Sequence, residues 1–323
     1  MDAKHLADGV ASGNRRAIAR LISKAENEEP VGQEALGLLV RRPSKAHIVG
    51  ITGSPGTGKS TLTDRLIEAA RRVGLTVGVV AVDPSSPYTG GAILGDRIRM
   101  QSRSTDPDVF IRSMGTRGAL GGLATHTADA VRILEAAGKD LILVETVGVG
   151  QAEVDIVKLA DTVVVVLVPN LGDDIQAVKA GLMEIADLFV VNKCDLSGAD
   201  KVAAEVEANL MLAHPPAAPD GGEPWTPPIL RAAAERGEGV VAIFEAAGRH
   251  RAWAETSGAW TLRRNRRAQE QVRAILEREV ARFAFETDGT PRSAWTSLFD
   301  DVAAGRAAPL DAAKRLLAAF RRS

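Results

Sequence analysis

The chain contains very little cysteine, and this scarcity excludes two kinds of protein at once. Cys194 is the single cysteine among 323 residues. One thiol cannot close a disulfide within the chain, and it cannot build a cysteine-rich metal site. This composition suits a reducing compartment, so we expect the protein to be cytoplasmic.

The sequence also lacks a surplus of charge and any long apolar run. Its 40 lysine and arginine residues nearly balance 41 acidic residues, which argues against a nucleic-acid partner. The longest apolar run, 162–169, is too short to cross a membrane, and the first residues do not resemble a secretory signal. One basic cluster (Arg263, Arg264, Arg266 and Arg267) lies in a helical pattern and is interpreted as a solvated helix face.

Short apolar segments alternate with amphipathic helical segments from His47 onward. Strands rich in Val, Ile and Leu that are separated by helices are typical of a mostly parallel sheet with helices on both faces. The predicted strands are His47–Thr52, 76–82, 109–112, 140–146, 162–168, 188–192 and, more weakly, 229–233. The predicted helices among and after them are 59–73, 122–137, 174–181, 200–212 and 240–251. The pattern predicts an α/β fold of the P-loop type.

Both ends of the chain are predicted to be helical, because apolar residues recur there at helical spacing. The proline-rich segment 214–228 is predicted to be a loop. We expect an N-terminal helical extension at 1–45, a nucleotide-binding domain at 46–252 and a C-terminal helical arm at 253–323. In that arm, one helix face is predicted to carry Val272, Ile275, Leu276, Val280 and Phe283.

The strongest motif is a phosphate-binding loop, G-x-x-x-x-G-K-[ST], at residues 53–60. A predicted strand leads into it and a predicted helix leads out, so its backbone N–H groups can surround a phosphate at a helix N-terminus. Lys59 is predicted to reach the β- and γ-phosphates, and the Ser60 hydroxyl to ligate Mg²⁺. The predicted nucleotide-binding residues here are Gly53, Ser54, Pro55, Gly56, Thr57, Gly58, Lys59, Ser60 and Thr61.

A second motif, Asn192-Lys193-Cys194-Asp195, follows the predicted strand 188–192. The carboxylate of Asp195 can accept hydrogen bonds from N1 and the exocyclic amine of guanine, which adenine does not offer in the same way. The motif therefore predicts guanine recognition by Asn192, Lys193 and Asp195. Ala232 and Ala233 are predicted to complete the base site, although the serine usual there is missing.

Acidic residues at strand ends predict a metal site beside the phosphates. Glu145 ends a strand and is predicted to bind Mg²⁺, while Gly148 is predicted to donate its N–H to the γ-phosphate. Asp83 ends another strand and is assigned to the same metal chemistry. Asp96 is either a metal ligand or a helix N-cap. Gln151 either orients the attacking water or is a polar loop residue without a catalytic part.

Together these motifs resemble the MeaB/ArgK-type P-loop GTPases of the SIMIBI class, the metallochaperones of methylmalonyl-CoA mutase. The stretches that carry the resemblance are GITGSPGTGKST, VDPSSP, GGAILGDRIRM, TRGALGGL, ETVGVGQAE and NKCD. The resemblance covers most of the chain, including its helical ends. It implies a GTP hydrolase that gates adenosylcobalamin delivery to, and protects, a B12-dependent acyl-CoA mutase. Methylmalonyl-CoA mutase is the favoured partner and isobutyryl-CoA mutase the alternative.

The resemblance also implies a homodimer held by the C-terminal helices, without a nucleic-acid or membrane partner. The segment 169–176 matches switch III, through which the mutase signals, so Asp173, Asp174 and Lys179 are expected to contact the mutase. Acids favoured at a helix N-terminus are a second interpretation of the two aspartates. Ala119 departs from relatives that carry histidine or threonine, so a side-chain role at that position is absent here.

Two other functions share parts of this pattern. A nickel-insertion GTPase would need clustered Cys and His ligands, whereas this chain has one cysteine and five scattered histidines. A protein kinase linked to lysine, arginine and ornithine transport would need an acceptor-binding site, for which no motif argues. The core motifs contain no arginine finger, apart from Arg117 as a candidate in the same chain, so we expect slow intrinsic turnover that a partner accelerates.

Overall fold

The computed structural model describes residues 2–39, 44–83, 105–115, 125–146, 155–169, 181–212, 218–285 and 290–322. These residues form seven strands in one parallel sheet of order β3-β2-β4-β1-β5-β6-β7. The strands are β1 (His47–Thr52), β2 (Val77–Asp83), β3 (Val109–Gly115), β4 (Leu141–Thr146), β5 (Thr162–Leu167), β6 (Leu188–Val191) and β7 (Ile229–Arg231). The predicted α/β class with a mostly parallel sheet is confirmed.

Helices cover the sheet and make up both chain ends. The described helices are α1 (Ala3–Ala11), α2 (Arg15–Glu26), α3 (Pro30–Leu39), α4 (Lys59–Arg72), α5 (Thr125–Ala136), α6 (Met183–Ile185), α7 (Ala199–Leu212), α8 (Val240–Thr256), α9 (Ala259–Ala284), α10 (Thr296–Ala303) and α11 (Pro309–Phe320). Side-chain caps start the first two: Asp2 accepts from the His5 N–H, and Asn14 accepts from the N–H groups of Arg16 and Ala17. None of the described helices is long and apolar enough to span a membrane.

The sheet separates two apolar cores. One core joins β1 and β4 to helices α1 to α3 and α5, with fully buried residues such as Leu6, Leu21 and Ile142. The other core joins the opposite face to α4 and α8 and includes Leu62 and Ile243. Because every central strand is buried on both faces, its sequence is continuously apolar rather than alternating, which explains why the strands could be predicted.

A chain of buried polar groups links the N-terminal edge of the sheet to α9. Nε2 of His47 lies 2.7 Å from Oγ1 of Thr162, which lies 2.7 Å from Nδ1 of His250. Nε2 of His250 lies 3.2 Å from Oδ1 of Asp187, and Arg263 donates two hydrogen bonds of 2.6 Å to the same carboxylate. Burial alone would raise the pKa of Asp187, but the hydrogen bond with His250 and the charge of Arg263 hold it well below its usual range. Asp187 is therefore ionised and fixes the start of α9 to β6.

The interpretation of the basic cluster as a solvated helix face is wrong for Arg263 and Arg264. Arg263 is bound to Asp187. Arg264 donates to the carbonyl oxygens of Ser44 at 2.6 Å and Ala46 at 2.7 Å. The charge pattern of a helix cannot reveal acceptors that lie more than two hundred positions earlier in the chain. Only the tertiary fold brings these groups together.

The stability of the protein is expected to fall as the pH falls from about 6.5, because His47 stays neutral in the folded chain. Burial, with the positive charge of Arg251, lowers the pKa of His47 from 6.5 to about 3. Between these values the unfolded chain binds a proton that the folded chain does not, so stability rises with pH. Urea unfolding from pH 7 to pH 5 should show a contribution of about 1.4 kcal/mol per pH unit that His47→Gln removes.

A matched control for this titration is His5→Gln, because His5 is exposed in the first turn of α1. That variant should retain the wild-type dependence of the unfolding free energy on pH. If His47→Gln shows the same slope as wild type and His5→Gln, then His47 is not the group that couples proton binding to folding.

The chain divides into two compact units, residues 1–266 and 267–323. The first contains the sheet together with α1 to α8. The second contains most of α9 with α10 and α11, and aromatic contacts such as Phe283 with Trp295 and with Phe320 hold it together. The division into parts 1–45, 46–252 and 253–323 stays a prediction.

Candidate functional site

The phosphate loop connects β1 to α4, and two of its glycines are required by geometry. Gly53 has a φ of 137°, and a Cβ there would lie 2.2 Å from the carbonyl oxygen of Val166. Gly58 has a φ of 85°, and a Cβ there would lie 2.5 Å from Nδ2 of Asn192. No residue with a side chain fits either position without displacing its neighbour. The loop is therefore held tightly against β5 and the base motif.

Lys59 places a buried positive charge inside this loop. Its Nζ donates to the carbonyl oxygens of Gly53 at 2.5 Å and Ser54 at 2.8 Å. Lys59 is also the first residue of α4, whose leading N–H groups have no carbonyl partners within the helix. A cation and the positive end of a helix therefore meet in the loop, which is the arrangement that binds a phosphate.

Ser60 and Glu145 place two oxygen donors beside the loop. The Ser60 hydroxyl donates to Oε1 of Glu145 over 2.5 Å, and Glu145 is fully buried at the end of β4. A hydroxyl and a carboxylate in contact are hard oxygen donors of the kind that Mg²⁺ prefers, so these residues fit the ion. The backbone of Asp83 ends β2, which pairs with β4 in parallel, so Asp83 lies at the same edge of the sheet.

The base motif is joined directly to the phosphate loop. Nδ2 of Asn192 donates to the carbonyl oxygen of Thr57 at 2.8 Å, and its Oδ1 accepts from the N–H of Ala234 at 3.1 Å. Lys193 donates to the carbonyl oxygen of Gly56 at 2.9 Å. Its φ of 54° lies in the left-handed region, which a non-glycine residue rarely adopts. The motif therefore holds two other segments in place, namely the phosphate loop and the turn at Ala234.

Ala232 and Ala233 lie beside the base motif, as the predicted base site requires. The N–H of Cys194 donates to the carbonyl oxygen of Ala232, and both alanines are buried. A contact between these alanines and the base stays a prediction. Arg236, which the motifs did not predict, lies with its guanidinium 3.1 Å from the carboxylate of Asp195. A single arginine in a short turn carries no sequence signal.

Six predicted functional residues lie outside the described residues: Asp96, Gly148, Gln151, Asp173, Asp174 and Lys179. Ala119 and Arg117 lie outside them too. Across the part of the chain that the structure describes, no three His, Cys, Asp or Glu side chains form a group that could hold a metal ion. Of the predicted metal site, the structure describes Ser60, Glu145 and the backbone of Asp83.

Replacing Asp195 with alanine is expected to weaken GTP binding by about ten- to a hundredfold, with little effect on ATP binding. Hydrogen bonds to a charged group contribute about 1.5 to 3 kcal/mol, and the expected loss is that of the bonds to guanine. Titration calorimetry with both nucleotides measures this difference. Arg236→Ala is the matched control, since it removes an exposed ion pair but leaves the acceptor of the base. An equal loss in both variants would contradict base recognition by Asp195.

Comparisons with known proteins extend the likeness over nearly the whole chain. Residues 18–288 match the family described as Methylmalonyl Co-A mutase-associated GTPase MeaB. The chain is 53% identical over 277 residues to a protein of Pyrococcus horikoshii named as a GTPase, covering 86% of each chain. It is 31% identical over 330 residues to the mitochondrial methylmalonic aciduria type A homolog of Mus musculus, covering 97% of this chain and 78% of that one.

A solved structure is similar over the full length. The crystal structure of a LAO/AO transport system kinase superposes with a TM-score of 0.70 at 25% sequence identity, covering 99% of this chain and 98% of that one. The likeness therefore extends to the helical ends as well as to the sheet.

Proposed function

The chain belongs to the MeaB family of methylmalonyl-CoA mutase-associated GTPases and is a GTP hydrolase, and from this premise we propose that its GTP hydrolysis gates adenosylcobalamin delivery to, and protection of, a B12-dependent acyl-CoA mutase. The observation that carries the proposal is the hydrogen bond from the Asn192 side chain to the carbonyl oxygen of Thr57, which connects the base motif to the phosphate loop. Through this bond, the binding of a guanine nucleotide affects the positions of both loops. Methylmalonyl-CoA mutase is the partner that the family description favours.

The described residues support hydrolysis by positioning and by charge. Lys59 and the leading N–H groups of α4 hold the phosphates and offset the negative charge that develops on the γ-phosphate as water attacks. Asp195 and the buried alanines beside it hold the base, so the nucleotide is fixed at both ends. We propose that the N–H of Gly148 binds the γ-phosphate and that Gln151 orients the water.

Mg²⁺ would be held by Ser60 and Glu145, with Asp83 and Asp96 as further proposed ligands. When bound, the ion supplies positive charge to the β- and γ-phosphate oxygens. The buried carboxylate of Glu145, which accepts a hydrogen bond from the Ser60 hydroxyl, supports this assignment.

We propose that the protein is a homodimer whose C-terminal arm, residues 253–323, supplies the contact. On α9, Val272 and Leu276 are 58% and 57% exposed, one helical turn apart. Paired exposed apolar side chains on one helix face are typical of a surface that another chain covers. Asp173, Asp174 and Lys179 are proposed to contact the mutase.

Reconstitution with a purified mutase tests the proposal. GTP turnover is measured for the protein alone, with methylmalonyl-CoA mutase and with isobutyryl-CoA mutase, while size-exclusion chromatography measures complex formation. The true partner is expected to co-elute and to raise turnover by about tenfold or more, because ordering the switch segments completes the site. Adenosylcobalamin transfer should then require GTP that can be hydrolysed.

Equal turnover with and without either mutase, and no co-elution, would contradict the chaperone role while leaving GTP hydrolysis intact. The kinase alternative is separated in the same reaction by following the γ-phosphate of labelled GTP. Release as inorganic phosphate fits a hydrolase, whereas label retained on protein fits the transport-linked kinase.

A further inference from the structure

A cavity of about 350 Å³ lies between the sheet and helices α4 and α8. Its wall is apolar and includes Val49, Leu66, Leu143, Ile243 and Phe244. His47, the first residue of β1, also lines it, whereas the phosphate loop follows the last residue of that strand. A six-residue strand spans about 20 Å, so the cavity lies at the opposite edge of the sheet from the nucleotide site.

The cavity opens to solvent, because Lys45, Glu245 and Gly248 in its lining are exposed. Side chains in protein cores are close-packed, and apolar hollows of this volume with a few polar groups are where small molecules usually bind. The surrounding residues belong to the well-packed core between the sheet and α4 and α8. The nucleotide site uses none of the residues that line it.

Among the polar residues that line this cavity, His47 is the buried one, and its second ring nitrogen can meet a ligand. Nε2 of His250 lies 3.2 Å from the ionised carboxylate of Asp187, so we assign the ring proton to Nε2, which leaves Nδ1 as an acceptor. Thr162 then donates to Nδ1 of His250 and accepts from Nε2–H of His47. Because this assignment leaves the neutral His47 without a proton on Nδ1, that atom is a hydrogen-bond acceptor.

No described residue hydrogen-bonds to Nδ1 of His47, although the side chain is more than nine-tenths buried. Because His47 lines the cavity, a molecule bound there can reach this nitrogen and hydrogen-bond to it. The charged rim of the cavity is mixed in sign, with Lys45 and Arg251 opposed by Asp140 and Glu245. A mixed rim does not select an ion of either charge.

We propose that this cavity binds a neutral small molecule with an aromatic or aliphatic body and one hydrogen-bond donor, which donates to Nδ1 of His47. This inference goes beyond GTP hydrolysis and does not depend on the mutase. The ligand's body would replace water against the apolar wall, and its donor would hydrogen-bond to Nδ1 of His47.

Indole and benzofuran are a matched pair of probes, because they have nearly the same shape but only indole carries an N–H group. Binding to the full-length chain is measured by titration calorimetry and by ligand-observed NMR. Indole is expected to bind at least about fivefold more tightly than benzofuran, the ratio that one hydrogen bond contributes. No binding of indole at millimolar concentration would overturn the proposal.

Gly248 on α8 provides a variant that fills the cavity without touching the His47 network. It lines the cavity, and a Cβ added there meets nothing within 4 Å. Gly248→Leu is expected to weaken indole binding at least about tenfold, whereas Gly248→Ala, which leaves the cavity open, should retain it. GTP turnover should be unchanged in both variants, which separates this test from that of the proposed function.

His47→Leu removes the acceptor while keeping an apolar side chain. In this variant indole and benzofuran should bind equally, and a preference for indole that survives the change would overturn the role of His47. If His47→Leu does not fold, the comparison of Gly248→Leu with Gly248→Ala still tests whether indole binds in this cavity. Indole binding that is equal in wild type and Gly248→Leu would place the ligand elsewhere and overturn the proposal.

Discussion

Replacing Lys59 with alanine is expected to lower the GTP turnover of the protein by about a hundred- to a thousandfold. Lys59 is the buried cation of the phosphate loop, where it donates to the carbonyl oxygens of Gly53 and Ser54. A donor placed where negative charge develops in a transition state typically contributes that much to the rate. Phosphate release at saturating GTP, followed with a coupled assay, measures the change.

Lys201→Ala is the matched control, because this lysine lies on α7 with 77% of its side chain exposed. Its turnover should remain within about twofold of wild type, since exposed groups away from the site contribute little. Thermal unfolding of both variants separates a catalytic loss from a loss of fold. Turnover of Lys59→Ala within about threefold of wild type, in a folded protein, would remove Lys59 from the catalytic assignment.

Replacing Arg263 with alanine is expected to lower the free energy of unfolding by about 3 kcal/mol, even though Arg263 lies far from the nucleotide. The change leaves the buried carboxylate of Asp187 without its bidentate partner, and breaking a buried ion pair typically costs 3 to 5 kcal/mol. We take the lower end because 30% of the Arg263 side chain remains exposed. Urea unfolding followed by circular dichroism measures the loss.

Arg266→Ala is the control for this prediction, since Arg266 is exposed one turn further along the same helix. That variant should change stability by less than about 0.5 kcal/mol. Adding Asp187→Asn to Arg263→Ala should restore part of the loss, because an amide is cheaper to bury than an unpaired carboxylate. If Arg263→Ala and Arg266→Ala have equal free energies of unfolding, the ion pair of Arg263 with Asp187 does not stabilise the start of α9.

The strands and the phosphate loop could be predicted because their signals are local. A strand buried on both faces reads as a continuous apolar run, and the loop's glycines occur at fixed spacing in the chain. The limits of the elements were less predictable. The weak strand expected at 229–233 ends at Arg231, because Ala233 turns to pair with Glu238 in an antiparallel bridge.

The long-range polar contacts could not be predicted from the sequence. Arg263 and Asp187 are 76 positions apart, and nothing in the sequence near either residue indicates the other. The contact of Arg236 with Asp195 is a case of the same kind at shorter range. Side-chain pairs of this type depend on the packing of whole elements, which periodicity and motif spacing do not encode.

The side chain of Asn192 has a consequence for which substrates the protein accepts. One amide bonds to the carbonyl oxygen of Thr57 in the phosphate loop and to the N–H of Ala234 in the turn beside the base motif. Together with the bond from Lys193 to the carbonyl oxygen of Gly56, this amide fixes the distance between the phosphate loop and the base motif. If both loops hold the nucleotide as proposed, guanosine analogues with a lengthened linker between sugar and phosphate should bind more weakly than GTP.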